Sequence, residues 1–192
     1  MATQTVTGRT PRPVRVPQHR TRGSRTGGGW RLSPGWRKGV LTAHVVLSVG
    51  WIGLAVSLIA LAAAGLGSGE TWPYRAIGLL GGTFLLPLSL SAFLTGVLLS
   101  LGTKWGLVRY YWVAAKLFAT IALVVAGQLA LGRFIATAAE RAAAGDQVGE
   151  AGQRVLDGSI ANLVLLVVLT VLSVYKPWGR TRRGKAILKG AA

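Results

Sequence analysis

The chain has no cysteine, a single methionine and only five acidic residues among 192. Without cysteine there is no disulfide, no thiol nucleophile and no thiolate ligand for zinc or an iron–sulfur cluster. The acids are Glu70, Glu140, Asp146, Glu150 and Asp157, and none falls within a long apolar run. That placement excludes a di-iron carboxylate centre, a carboxylate proton relay and most cation-coupled transport mechanisms. Histidine is almost as scarce, with only His19 and His44, and the lone methionine is Met1. Soft ligands for Cu(I) are therefore missing, and copper transport is poorly supported. Charged residues make up 14% of the chain, against about 25% in a soluble domain. An ordinary water-facing surface cannot be built from so few.

What is present lies in separate places. Hydrophobic residues make up 51%, and 22 Lys and Arg give a formal net charge of +17. In a soluble protein that charge would point to nucleic acid. Here residues 1–39 hold nine basic residues and residues 176–192 hold six, with no acid in either. The body between is nearly neutral and strongly apolar, the composition of an integral membrane protein rather than a nucleic-acid binder.

Residues 1–39 are rich in Arg, Thr, Gly and Pro and have little to bury, so they read as a disordered basic tail. A transit peptide would share the acid-free composition, but Pro11, Pro13 and Pro17 break the amphipathic helix it needs. A signal peptide would end near Ala62-Ala63-Ala64, yet the apolar run before that point exceeds the roughly 7–15 residues of such a segment. Four stretches reach the length of a membrane-spanning helix: about 40–65, 76–101, 111–131 and 156–175. Pro87 falls inside the second and should kink it, whereas Pro177 marks the end of the fourth.

The predicted fold is all-α, an integral membrane four-helix bundle. Both tails and the loop carrying Lys104 and Arg109 fall on one side, and every acid falls on the other. The positive-inside rule then places both termini in the cytoplasm of a cell (inner) membrane protein. Trp36, Trp72, Tyr74, Trp105, Tyr110, Tyr111, Trp112, Tyr175 and Trp178 sit at the helix ends, as an interfacial belt should. The third loop, about 133–157, reads as a solvated connector that extends the third helix outward and turns near Gly145. The implied partners are the anionic cytoplasmic leaflet and a second copy or another membrane protein.

Polar residues within the spans are few. His44, Ser48 and Trp51 stand at i, i+4 and i+7 on one helical face. Imidazole is a common metal and haem ligand, and the bland alternative is a neutral His44 hydrogen-bonded to a neighbouring Ser, Thr or backbone carbonyl. Lys116 either snorkels to the headgroups or turns inward at the depth of His44, Thr95, Ser100 and Ser173. Turned inward, it would make a layer fit for a carboxylate or propionate. Gly78-x-x-x-Gly82 reads as helix packing and Asn162 as a helix–helix hydrogen bond.

Leu41-Thr42-Ala43-His44, followed by Ser48-Val49-Gly50-Trp51-Ile52-Gly53, resembles the first-helix pattern of the copper-resistance-D-like superfamily. Tyr111-Trp112-Val113-Ala114-Ala115-Lys116-Leu117 resembles the third-helix pattern of its HemJ-type protoporphyrinogen oxidases. With Leu172-Ser173-Val174-Tyr175-Lys176-Pro177, the layout over about 38–180 is most similar to an uncharacterised bacterial four-span family of that superfamily. The resemblance implies haem b, with His44 and Lys116 in the family's functional positions. The second family histidine is replaced by Gly127-Gln128, so bis-histidine ligation within one chain is excluded. The expected function is binding of haem, another tetrapyrrole or a small anionic ligand by His44, Ser48, Trp51, Thr95, Lys116 and Ser173, with His44 the metal ligand and no catalytic residue assigned. The rivals are an accessory subunit of a membrane complex and a small-solute transporter.

Overall fold

A computed structural model describes residues 32–102 and 110–175. The basic tails up to residue 31 and beyond 175 lie outside them, as do Lys104, Trp105, Arg109 and the expected stop at Pro177. Among the described residues the chain is all-helical, with no strand. The helices are α1 (Pro34–Ser68), α2 (Trp72–Leu101), α3 (Tyr111–Ala126), α4 (Gly132–Ala144) and α5 (Gly149–Tyr175). A π-helical turn, Gly127–Leu131, joins α3 to α4. Four helices are long and apolar enough to cross a membrane: α1, α2, the continuous Tyr111–Ala144 and α5.

Local chemistry sets the helix ends. Ser33 Oγ accepts from the Trp36 backbone N–H, and Pro34 occupies the first turn, where its missing N–H is no loss. The helix therefore begins inside the segment read as disordered: residues 34–39 are helical. At the other end Gly69 takes φ +72 and returns its N–H to Gly65 O. Gly145 does the same for α4 at φ +81, with Asp146 N bonded to Arg141 O at 2.9 Å. Arg75 of α2 adds a second donor to the Ala142 carbonyl, at 3.2 Å, beside the Gly145 N–H. Pro87 does not stop α2, which runs on to Leu101. Leu32 N bonds to Gly102 O at 3.2 Å, tying the start of α1 to the end of α2.

The helices alternate in direction. The starts of α1 and α3 and the ends of α2 and α5 share one face, here the terminal face, and the remaining helix ends share the opposite face. α1 packs on α2 and α5, and α2 packs on α4. The larger apolar cluster includes Leu58, Tyr74, Ile77, Ile135, Ala138 and Val155, toward the opposite face. The smaller one joins Trp51, Ala92, Leu123, Leu166 and Leu169, toward the terminal face.

Two expectations change here. The third loop is not a solvated connector: α4 buries Ile135, Ala138 and Ala142, and α5 begins at Gly149 and buries Ala151 and Val155. Gly78 rather than the Gly78/Gly82 pair carries the close approach. A Cβ on Gly78 would stand 2.5 Å from Ala139 Cβ and one on Gly81 would stand 2.7 Å from Ile135 Cδ1, while Gly82 has nothing within 4 Å. The contact is thus between α2 and α4 of one chain.

Candidate functional site

The terminal half of the helices gathers the polar residues expected there. His44 on α1 has Nδ1 3.0 Å from the Ala92 carbonyl oxygen and 3.1 Å from Thr95 Oγ1 on α2. A carbonyl can only accept, so Nδ1 carries the hydrogen and the neutral ring keeps its lone pair on Nε2. Thr95 Oγ1 itself lies 2.7 Å from Ser91 O and 3.0 Å from Ala92 O, which fixes its rotamer within the helix. The ring can approach α2 this closely because Gly96 offers no side chain: a Cβ there would stand 3.1 Å from His44 Cε1. The imidazole is thereby held from one edge by backbone.

Lys116 faces inward. Its ammonium donates to Ser173 Oγ on α5, and Ser173 Oγ in turn donates to Leu169 O at 2.8 Å. Thr120 Oγ1 donates to the Lys116 carbonyl at 2.8 Å, one turn further along α3. The side chain is half-buried and is turned toward α5. All five acids lie at or near the opposite face, so neither His44 nor Lys116 meets a carboxylate, and no cluster of three or more metal-ligating side chains occurs among the described residues.

Four helices therefore contribute to one layer: His44 from α1, Thr95 from α2, Lys116 from α3 and Ser173 from α5. Two of the expected residues stand apart from it. Ser48 is half-buried and makes no side-chain hydrogen bond among the described residues. Trp51 is 2% exposed, in the apolar cluster about 10 Å along α1 from His44 by helical rise. The expected hydrogen bond of His44 to a Thr or a backbone carbonyl is present, but the sequence did not single out Ala92 or the part that Gly96 plays in the approach.

The donor set fits one half of a haem site. His44 Nε2 is an imidazole nitrogen whose partner Nδ1–H is already fixed on a backbone carbonyl, the arrangement that orients a metal-ligating histidine. Lys116 supplies a cation for a propionate. A second axial histidine has no counterpart among the described residues, where His44 is the sole histidine. Comparison of the chain with protein-family models, with curated proteins and with solved structures finds no match, so what the layer does is argued from its own geometry.

Proposed function

We propose that the chain is a multi-pass protein of the cell (inner) membrane, with both termini cytoplasmic, that binds a small anionic ligand in the cytoplasmic half of a four-helix bundle. Haem or a related tetrapyrrole is the first choice. The observation that carries this reading is the pairing of an oriented imidazole with an inward ammonium, free of carboxylates (His44 on Ala92 O, Lys116 on Ser173). An inward lysine in an apolar setting is expensive unless an anion compensates it. The basic tails and the acids grouped at the opposite face support the orientation. The sequence resemblance to four-span members of the copper-resistance-D-like superfamily supports the tetrapyrrole.

In this reading His44 Nε2 would hold the haem iron, Lys116 would hold a carboxylate, and Thr95 keeps the imidazole at its angle. A bound haem would supply electron transfer or a sensing state. The test is the visible spectrum of detergent-purified protein from cells supplied with a haem precursor. A Soret band that disappears in His44→Ala and weakens in Lys116→Met is the expected result. A colourless wild type would rule out haem.

A second reading rests on α3, which buries only Val113 and Leu123 and leaves Phe118 66% exposed. In that reading the protein is an accessory subunit whose α3 faces a partner helix. Cross-linking in native membranes through Phe118→Cys, with retention of a discrete heteromeric band, would favour it.

A further inference from the structure

Four buried polar atoms have no hydrogen-bond partner among the described residues: Trp51 Nε1, Gln128 Nε2, Ser159 Oγ and Asn162 Oδ1. Asn162, expected to bond across helices, is 5% exposed with its carbonyl oxygen unmet, and Ser159 is wholly buried. Buried polar groups without partners are uncommon in any protein, and in the hydrocarbon region no bulk water is at hand to relieve them. Isolated cases can be absorbed as local strain. Four in one zone point to something that they share.

The packing puts them in one zone. Gly158 on α5 abuts Leu131, since a Cβ there would stand 3.1 Å from Leu131 Cδ1. α5 runs antiparallel to α3, so Gln128, three residues before Leu131, falls beside Asn162. Ser159 and Asn162 share a helical face, Asn162 one turn and Ser159 two turns before Leu166, and Leu166 packs in one cluster with Trp51 and Leu123. Trp51, Gln128 and the Ser159–Asn162 pair thus come from three elements at neighbouring depths. Gln128 is positioned by the π turn, Gly127–Leu131. Such turns insert one residue into a helix and recur at functional sites.

We propose that Trp51, Gln128, Ser159 and Asn162 form a second, uncharged site in the middle of the helices that holds a small neutral molecule able both to donate and to accept hydrogen bonds. Two N–H donors, one carbonyl acceptor and one hydroxyl match that chemistry and no other. There is no ionisable group in the set, so it neither neutralises an anion nor ligates a metal, in contrast to the His44–Lys116 layer. Water and a short amide or alcohol share the required chemistry. The site does not depend on the haem reading and stands or falls separately from it.

The experiment uses the full chain in phosphatidylcholine nanodiscs, labelled with 15N-tryptophan, the Trp51 indole signal being assigned by its loss in Trp51→Phe. The expected result is a cross peak between the Trp51 indole N–H and water or a bound solute, lost in Asn162→Leu and in Gln128→Leu. Ser159→Ala, which removes one hydroxyl, takes their place if either larger change prevents insertion. Titration with formamide separates the sources. A saturable shift of the Trp51 signal identifies a site for a small amide, and an unmoved signal with a water cross peak identifies water. A Trp51 indole N–H with no cross peak, no exchange into D2O and no response to formamide would overturn the proposal.

Discussion

Tyr74 is 2% exposed and packs between Gly65 of α1 and Gly152 of α5. A Cβ on Gly65 would stand 2.6 Å from Tyr74 Cε2, and one on Gly152 would stand 2.5 Å from the Tyr74 hydroxyl. Ring and helix backbones leave no slack, so Gly65→Ala or Gly152→Ala should destabilise by about 1–3 kcal/mol through overpacking. Each should be partly rescued by Tyr74→Leu, which withdraws the ring. Unfolding in mild detergent of the single and paired variants measures the coupling, and strictly additive losses would show that the ring is not the obstacle. From the sequence, Tyr74 belonged to the interfacial belt, because it follows Trp72 at a helix start. Nothing local marks two glycines on other helices as its walls. The residues of the His44–Lys116 layer were legible for the opposite reason. A polar side chain inside an apolar run is rare enough to stand out alone, and antiparallel helices bring equal depths together. Its backbone partner, the Ala92 carbonyl, left no such trace.

The third crossing shows where an element-level reading stops. Hydropathy ended it at Leu131, because Arg133 and an alanine-rich stretch follow. The buried face nevertheless continues through Ile135, Ala138 and Ala142. Alanine contributes little to hydropathy, yet its small size is what lets Gly78 approach Ala139. The π turn did leave a signature. Buried positions 123, 127, 131 and 135 follow at three successive steps of four, which would drift around a regular helix of 3.6 residues per turn. One extra residue in the turn absorbs that drift. Deletion of the exposed Ala130 should therefore convert the turn to α-helix while α4 keeps its face on α2. Insertion of one alanine after Arg133 should rotate the rest of α4 by about 100° and take Ala138 and Ala142 off α2. Circular dichroism and thermal melts of the two variants should show near-native helicity for both. The insertion should lose distinctly more stability than the deletion. A deletion that is the more damaging would refute this account of the turn.

At the scale of the whole molecule, composition and the long apolar runs carried the all-helical architecture, because a membrane demands long apolar helices and little else in regular structure. α1 has 35 residues, a length of about 52 Å against a hydrocarbon core of about 30 Å, so it tilts or emerges from the bilayer. The ends that emerge differ in charge. Trp36, Arg37 and Lys38 lie in the first turns of α1, whereas the acids gather around the opposite face, and Asp146 stands exposed in the turn after Gly145. Those differences are the basis of the proposed orientation, and the absence of cysteine makes it straightforward to test. Every thiol introduced will be the only one in the chain. Gly35 is exposed with nothing within 4 Å of an added Cβ, so Gly35→Cys should leave the Ser33 cap intact. In intact cells a membrane-impermeant maleimide should label Asp146→Cys and Glu70→Cys but not Gly35→Cys, which should react only after permeabilisation. In the proposed orientation the basic residues would meet the inner leaflet, each one near that surface being worth about 1 kcal/mol. Labelling of Gly35→Cys in intact cells, with Asp146→Cys protected, would invert the molecule and move the His44–Lys116 layer to the outer half of the membrane.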